Sequence, residues 1–247
     1  MPDNISRNRA LILGGNCTTA LALATKLLQQ GTTPILTWKS KKGREQINDH
    51  LENQKGDYET CRLDFKDGSS LQNLEQILPY GIDSLIDFAH GELEKLLAGT
   101  EDNQIYEYFS ANISFRAAVI KRVAQTMLAK RKGKMVYVSS TATVLQNPGQ
   151  GFYAASKSAS EELYRSIGIE MGKKGIVAVI LQPGYISSGR GKRYLDNQTG
   201  QIQSGKSNSE ILTPAQLADT ICFLLSDLGS GFNACTLRMD CGLCSRK

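Results

Sequence analysis

The chain has no apolar run approaching the about 18 residues that a membrane-spanning helix needs. It also has no internal repeat, no low-complexity tract and no linker long enough to divide it. These absences exclude a transmembrane anchor and leave one domain as the reading for all 247 residues. Arg7 and Arg9 precede an apolar stretch, and "ALALA" imitates a small-residue cleavage site, but the stretch breaks after four apolar residues, too few for a secretory leader. The six cysteines lack the spacing of a disulfide framework, and four of them fall in the last 26 residues. "CGLC", Cys241–Cys244, has no second pair at metal spacing, so it reads as packed tail rather than as a zinc or redox site. A soluble protein of the reducing cytoplasm is expected. Charge of one sign is not concentrated either: the net +5 is spread, with small clusters at Lys39–Lys42 and Lys130–Lys134. That favours anionic small molecules or an acidic partner protein over a nucleic-acid groove.

Glycine is sparse where a phosphate-holding turn would need it. "RALILGGNCTTALALATKLLQQG", Arg9 to Gly31, reads as strand, turn and helix, the unit that holds a dinucleotide pyrophosphate on glycine backbone and a helix N-terminus. Its turn keeps only Gly14 and Gly15, and Thr18 and Ala20 stand where backbone and phosphate would approach most closely. Alanine is an accepted variant there. Thr18 has to adopt a conformation that glycine takes freely, or the loop has to move outward. Asn16, Thr18 and Thr19 add side-chain donors, so a usable but altered anion site is expected.

What the chain has in abundance is alternation of strand and helix. Strand-like runs fall at "RALILG", "TPILTW", "YETCRLDF", "DSLIDFA", "KMVYVSS", "GIVAVILQP" and "CTLRMD", and helical stretches start near Thr18, Lys42, Gly68, Asp102, Phe152 and Thr213. "IVAVIL" has no polar alternation, which predicts strands covered on both faces. The fold class is therefore α/β, a Rossmann-like doubly wound parallel sheet of about seven strands flanked by helices. Only Ser187 to Glu210 breaks the rhythm, and a loop so long inside a domain reads as a substrate lid or a disordered segment. Thr213 as N-cap and Pro214 at the first helical position restart a helix after it.

Chemistry concentrates between Met135 and Ser188. Ser140 ends a strand, Tyr153 lies 13 residues on, and Lys157 follows one helical turn later on the same face. An ammonium there favours the phenolate, lowering a pKa that starts at about 10. Ser140, "YAASK", the "QPG" after the next strand and "SANIS" in the preceding helix together resemble the short-chain dehydrogenase/reductases, from "LILGG" to "MDCG". The resemblance implies that Asn112, Ser140, Tyr153 and Lys157 act as a unit. Tyr153 would be general acid toward the substrate oxygen, or base in reverse, and Ser140 would bond the same oxygen. Lys157 would hold the nicotinamide ribose and tune Tyr153, while Asn112 positions a relay water. It further implies a cofactor site made by Gly14, Asn16, Thr18, Thr19, Ala20, Ala89, His90, Tyr153, Lys157, Pro183, Gly184, Ile186 and Ser188, with Asp64 and Phe65 at the adenine.

After the second strand stand Lys39, Ser40 and Lys42, with no acid before Glu45. An NAD-preferring site carries a carboxylate there, whereas cations suit a 2′-phosphate, so NADPH is expected; a solvated turn is the plainer reading of the same lysines. The family's Asn-Asn-Ala-Gly becomes "DFAH". Asp87 reads as a buried acid or a sheet-end acceptor, and His90 as a structural histidine or a pH-sensitive contact to the cofactor. In the lid, Arg190, Lys192, Arg193 and Lys206 beside Tyr185, Tyr194, Leu195 and Ile202 give an apolar pocket a basic rim. Arg131 and Lys174 fall where the resembling 3-oxoacyl carrier-protein reductases tend to be basic. The expectation is an NADPH-dependent ketoreductase of a 3-oxoacyl thioester or polyketide-like ketone, tethered to an acidic acyl carrier protein or coenzyme A. By the same resemblance it assembles as a dimer or tetramer through Asp102–Lys132 and Phe152–Lys173. A reductase of a free small ketone and a non-catalytic dinucleotide-binding protein are the alternatives.

Overall fold

The computed structural model describes residues 8–145, 147–189, 191–192 and 211–245. Within them one parallel sheet contains β1 (Arg9–Leu13), β2 (Thr33–Trp38), β3 (Glu59–Arg62), β4 (Ser84–Asp87), β5 (Gly133–Val138), β6 (Ile176–Pro183) and β7 (Cys235–Met239). Their spatial order is β3-β2-β1-β4-β5-β6-β7. Register follows pairs such as Leu11 with Ile35 on one side and with Leu85 on the other. The helices are α1 (Thr18–Gln29), α2 (Lys41–Leu51), α3 (Asp102–Phe109), α4 (Arg116–Lys130), α5 (Gly151–Met171) and α6 (Pro214–Leu225).

Successive residues of the five inner strands feed two different cores. Leu11, Leu13, Ile35, Leu85, Met135, Tyr137 and Ile180 pack on Val119, Val123 and Met127 of α4 and Tyr164 of α5. Ala10, Ile12, Leu36, Ile86, Val136, Val179 and Leu181 pack on Leu23 and Leu27 of α1, Ile47 of α2 and Leu217 and Ile221 of α6. Both faces of the sheet's centre are therefore dry, which is why the inner strands read as unbroken apolar runs. Each fully buried Leu or Ile contributes about 1.5–3 kcal/mol. At α6 both halves of a capping box form: Thr213 Oγ1 accepts from the Gln216 amide at 3.2 Å, and Gln216 Oε1 accepts from the Thr213 amide at 2.8 Å.

Two helical stretches differ from their sequence reading. Gly68–Gln76 is a 3₁₀ helix. Ser70 Oγ donates locally to the Asp64 and Asp67 carbonyls, bonds that compete with an α ladder. Between α3 and α4, Ser110–Phe115 winds as a π turn, and this widened stretch carries Asn112.

The strand order reverses beside β1, opening a crevice above the carboxyl ends of β1 and β4, where sheets of this kind hold ligands. Most of the expected lid lies outside the described residues, Arg190, Arg193, Tyr194, Leu195, Ile202 and Lys206 included. Its two roots are joined: Ile186 bridges Leu212, whose carbonyl accepts from Ser187 N–H at 2.8 Å and whose own N–H donates to Tyr185 O at 2.9 Å. No helix among the described residues is long and apolar enough to cross a membrane.

Candidate active site

The turn after β1 is tight, and its glycines answer to space. Gly14 has φ +72°, and a Cβ there would lie 3.0 Å from Ala89 N. A Cβ on Gly15 would lie 2.6 Å from Leu36 Cβ. Thr18 is different. It is the exposed first residue of α1 and is absent from the described non-glycine residues at positive φ, which are Arg131, Ala234 and Cys241. No glycine conformation is asked of its backbone. Thr19 and Ala20 are buried behind it, and Asn16 Nδ2 donates to Gln46 Oε1 of α2 at 3.1 Å. The first turn of α1 holds no acid, and its N-terminus opens on the crevice.

At the end of β2, Lys39, Lys41 and Lys42 are exposed and Ser40 caps α2, accepting from Gly43 N–H at 3.2 Å. Beyond β3, Asp64 Oδ1 accepts from Lys66 N–H at 3.0 Å, and the Phe65 ring lies 4.9 Å from that of Phe115. A glycine turn too close for a Cβ, an acid-free helix end and a row of cations form a donor set that fits a phosphate-bearing dinucleotide.

The residues expected at the reacting end lie on α5, on the turn after β5 and on the π turn before α4. Lys157 is 2% exposed, and its Nζ donates to Val138 O at 2.8 Å. That Nζ stands 4.8 Å from the Tyr137 ring centre and 5.9 Å from that of Tyr153. Tyr153 is buried, with His90 edge-on at 6.0 Å between ring centres. Ser140 Oγ accepts from Ala142 N–H at 3.1 Å and keeps its own proton to donate. Asn112 is 3% exposed; its Oδ1 accepts from Gly91 N–H at 2.7 Å and its Nδ2 donates to Tyr108 O at 2.9 Å, tying the π turn to the loop after β4.

Pro183 and Gly184 leave β6 over the C-terminal tail, where a Cβ on Gly184 would meet Asp240 Cα at 3.0 Å. Asp240 in turn accepts from Gly242 N–H at 3.0 Å and Cys244 N–H at 2.9 Å. Burial alone would raise its pKa, but those amides outweigh it and hold the carboxyl below the usual range. Burial and Asp240 push the Cys244 thiol up to about 11, so it stays protonated at neutral pH. Ser188 O, further along, accepts from Lys192 N–H at 3.3 Å.

Beneath this surface lies a charged pair that motif reading missed. Arg116 and Asp87 are 1% and 0% exposed, with Nε donating to Oδ2 at 2.7 Å. Asp87 also accepts from Tyr164 OH at 3.0 Å and from Ala89 N–H at 2.9 Å. Arg116 donates onward to the main-chain carbonyls of Asn112 and Ala89 and to Ser160 Oγ. Burial opposes its charge, but Asp87 offsets that, and the guanidinium holds its proton more firmly than free arginine. Burial pushes the Tyr137 and Tyr164 hydroxyls up. Asp87 is the buried acid its sequence position suggests; the signal for its partner is a guanidinium inside "ISFRAAVI", four residues after Asn112. A second network joins Glu161, one turn beyond Lys157, to Ser139 Oγ and to Gln182 Nε2, which also reaches Thr143 Oγ1 at 2.9 Å.

An open parallel sheet, a glycine turn on a helix N-terminus and a Tyr153–Lys157 pair on one helix are features of dinucleotide-dependent oxidoreductases. The family model for short chain dehydrogenase matches residues 8–199, and the chain belongs to that family. It is similar to 3-oxoacyl-[acyl-carrier-protein] reductase FabG of Buchnera aphidicola subsp. Acyrthosiphon pisum, 28% identical over 243 residues, 97% of this chain and 98% of the relative. It is also similar to the FabG of Escherichia coli K12, 27% identical over 244 residues with the same two coverages of 97% and 98%. Among solved structures, a gluconate 5-dehydrogenase from Burkholderia cenocepacia J2315 in complex with NADP and tartrate matches with TM-score 0.86 at 22% identity over 98% of both chains. Levodione reductase matches with TM-score 0.84 at 21% identity, over 97% of this chain and 98% of that one. At such identities these two speak for the fold.

Proposed function

We propose that this chain is an NADPH-dependent reductase that turns a ketone into a secondary alcohol, with 3-oxoacyl thioesters as its substrate class. The observation that carries the reading is Lys157, buried between the Val138 carbonyl and the Tyr153 ring. A bound nicotinamide dinucleotide supplies the hydride. Gly14, Asn16, Thr18, Thr19 and Ala20 would hold its pyrophosphate, Lys39, Ser40 and Lys42 its 2′-phosphate, and Asp64 and Phe65 its adenine. Ala89, His90, Pro183, Gly184, Ile186 and Ser188 would line the nicotinamide half.

The chain's own work is orientation and proton delivery. The Lys157 ammonium favours the Tyr153 phenolate, which eases transfer of the phenolic proton to the ketone oxygen. Ser140 donates to the same oxygen and fixes its direction. Asn112, clamped by Gly91 and Tyr108, would position the water that restores the proton through Lys157. Leu96 and Leu97 on the stretch after β4 and Val144 and Leu145 on the stretch after β5 are exposed, apolar surface that suits an acyl chain. The reading extends to a cytoplasmic setting and to an acidic carrier meeting Arg131 and Lys174, both exposed. The two reductases from Buchnera and Escherichia carry that substrate in their names.

Fluorescence titration with NADPH and NADH, followed by NADPH consumption on 3-oxoacyl thioesters, tests this. NADPH is expected to bind more tightly than NADH, and Lys39→Ala with Lys42→Ala to weaken NADPH by about tenfold or more, one lost phosphate contact being worth about 1.4 kcal/mol, with NADH little changed. Equal losses would reject the 2′-phosphate assignment. Absence of NADPH binding at physiological concentration sinks the reading altogether.

A further inference from the structure

We propose that Arg116, held by Asp87, is a positioning residue that fixes the Ala89–His90 turn against Tyr153 and sets the carbonyl of Asn112. The inference rests on Tyr153 as proton donor. Its starting point is where the guanidinium's donors go. Nε reaches Asp87 at the end of β4, Nη2 reaches the Ala89 carbonyl, and Nη1 reaches the Asn112 carbonyl together with Ser160 Oγ at 3.1 Å. Asp87 Oδ1 meanwhile accepts from Ala89 N–H at 2.9 Å. Both main-chain polar groups of Ala89 are thus held by the two halves of one ion pair. The next residue is His90, whose ring stands at 89° to that of Tyr153.

The plane of the fork is itself fixed, with the Phe65 and Tyr137 ring centres 5.3 and 5.5 Å from Arg116 Cζ. Stability alone gives little reason for such a group, because buried ion pairs are commonly replaced by apolar side chains without loss. What apolar side chains cannot do is hold two carbonyls and a carboxylate in one plane. Both carbonyls belong to segments that carry site residues: the turn bearing His90 and the π turn bearing Asn112.

The double variant Asp87→Asn with Arg116→Met removes both charges together, and thermal unfolding reports whether it folds. The chain has two histidines, so imidazole proton–carbon NMR reads His90 directly, with exposed His50 of α2 as reference. A folded double variant is expected to show the His90 signal shifted or broadened and His50 unmoved. Its kcat should fall about tenfold or more at saturating NADPH, with little change in KM for the ketone. A folded double variant with parental kcat and a parental His90 signal overturns the proposal. If the double variant does not fold, Arg116→Lys decides: it keeps the charge and loses the fork, so the same His90 displacement and kcat loss support the proposal and parental values overturn it. A parent chain that neither binds NADPH nor reduces a ketone removes the functional reading, while the His90 signal still decides whether the pair holds the turn.

Discussion

At the residue scale, the proposed reduction turns on how readily Tyr153 would give up its proton. Tyr153→Phe removes that proton and leaves the ring's packing, so kcat should fall by about 10²–10⁴ while NADPH affinity persists. Stopped-flow turnover beside a binding titration checks this, and unchanged turnover takes Tyr153 out of the site. The Tyr153–Lys157 relation was legible because residues four apart on a helix share a face. The Asp87–Arg116 pair was not, since its partners stand 29 positions apart and only the fold brings them together. Of the two ways to accommodate Thr18 that the sequence offers, the backbone removes the first: α1 starts at Thr18 itself, which lies outside the positive-φ region.

Elements were the most readable level where burial is two-sided. All seven apolar runs became strands of one sheet, most plainly β1, β2, β4, β5 and β6, where burial on both faces leaves apolar residues as the signal. The 3₁₀ stretch at Gly68–Gln76 and the π turn at Ser110–Phe115 were not readable, as both depend on local hydrogen-bond competition that composition does not report. The C-terminal tail supplies a prediction at this level. Asp240 anchors it with two amides, and its folded pKa lies below the unfolded value. A depressed carboxylate contributes stability above its unfolded pKa of about 3.9 and loses it as pH falls through the folded value. Asp240→Asn should therefore cost about 1–2 kcal/mol at pH 7. Thermal melts should show parent and variant converging toward pH 3; a constant gap would mean that the carboxylate's charge contributes nothing to the tail.

For the whole molecule, two large side chains stand exposed on the helices proposed for assembly, Tyr106 on α3 at 79% and Ile169 on α5 at 68%. Light scattering of the parent should give a multiple of the chain mass. Tyr106→Arg combined with Ile169→Asp should lower it toward a single chain, because each charge would have to be desolvated at an interface. A parent that elutes as a monomer rejects the assembly.

Because β1 lies between β2 and β4, one of its edges stays open until residues 84–87 arrive. A nascent chain that has emerged only through β3 presents that edge as a row of unpaired amides and carbonyls, a template for the wrong partner. Closing it means bridging some seventy residues, the kind of distant pairing that slows folding. The seam that later opens into the cleft is thus the place where a half-made chain is most exposed to aggregation, and where it has most to gain from a chaperone.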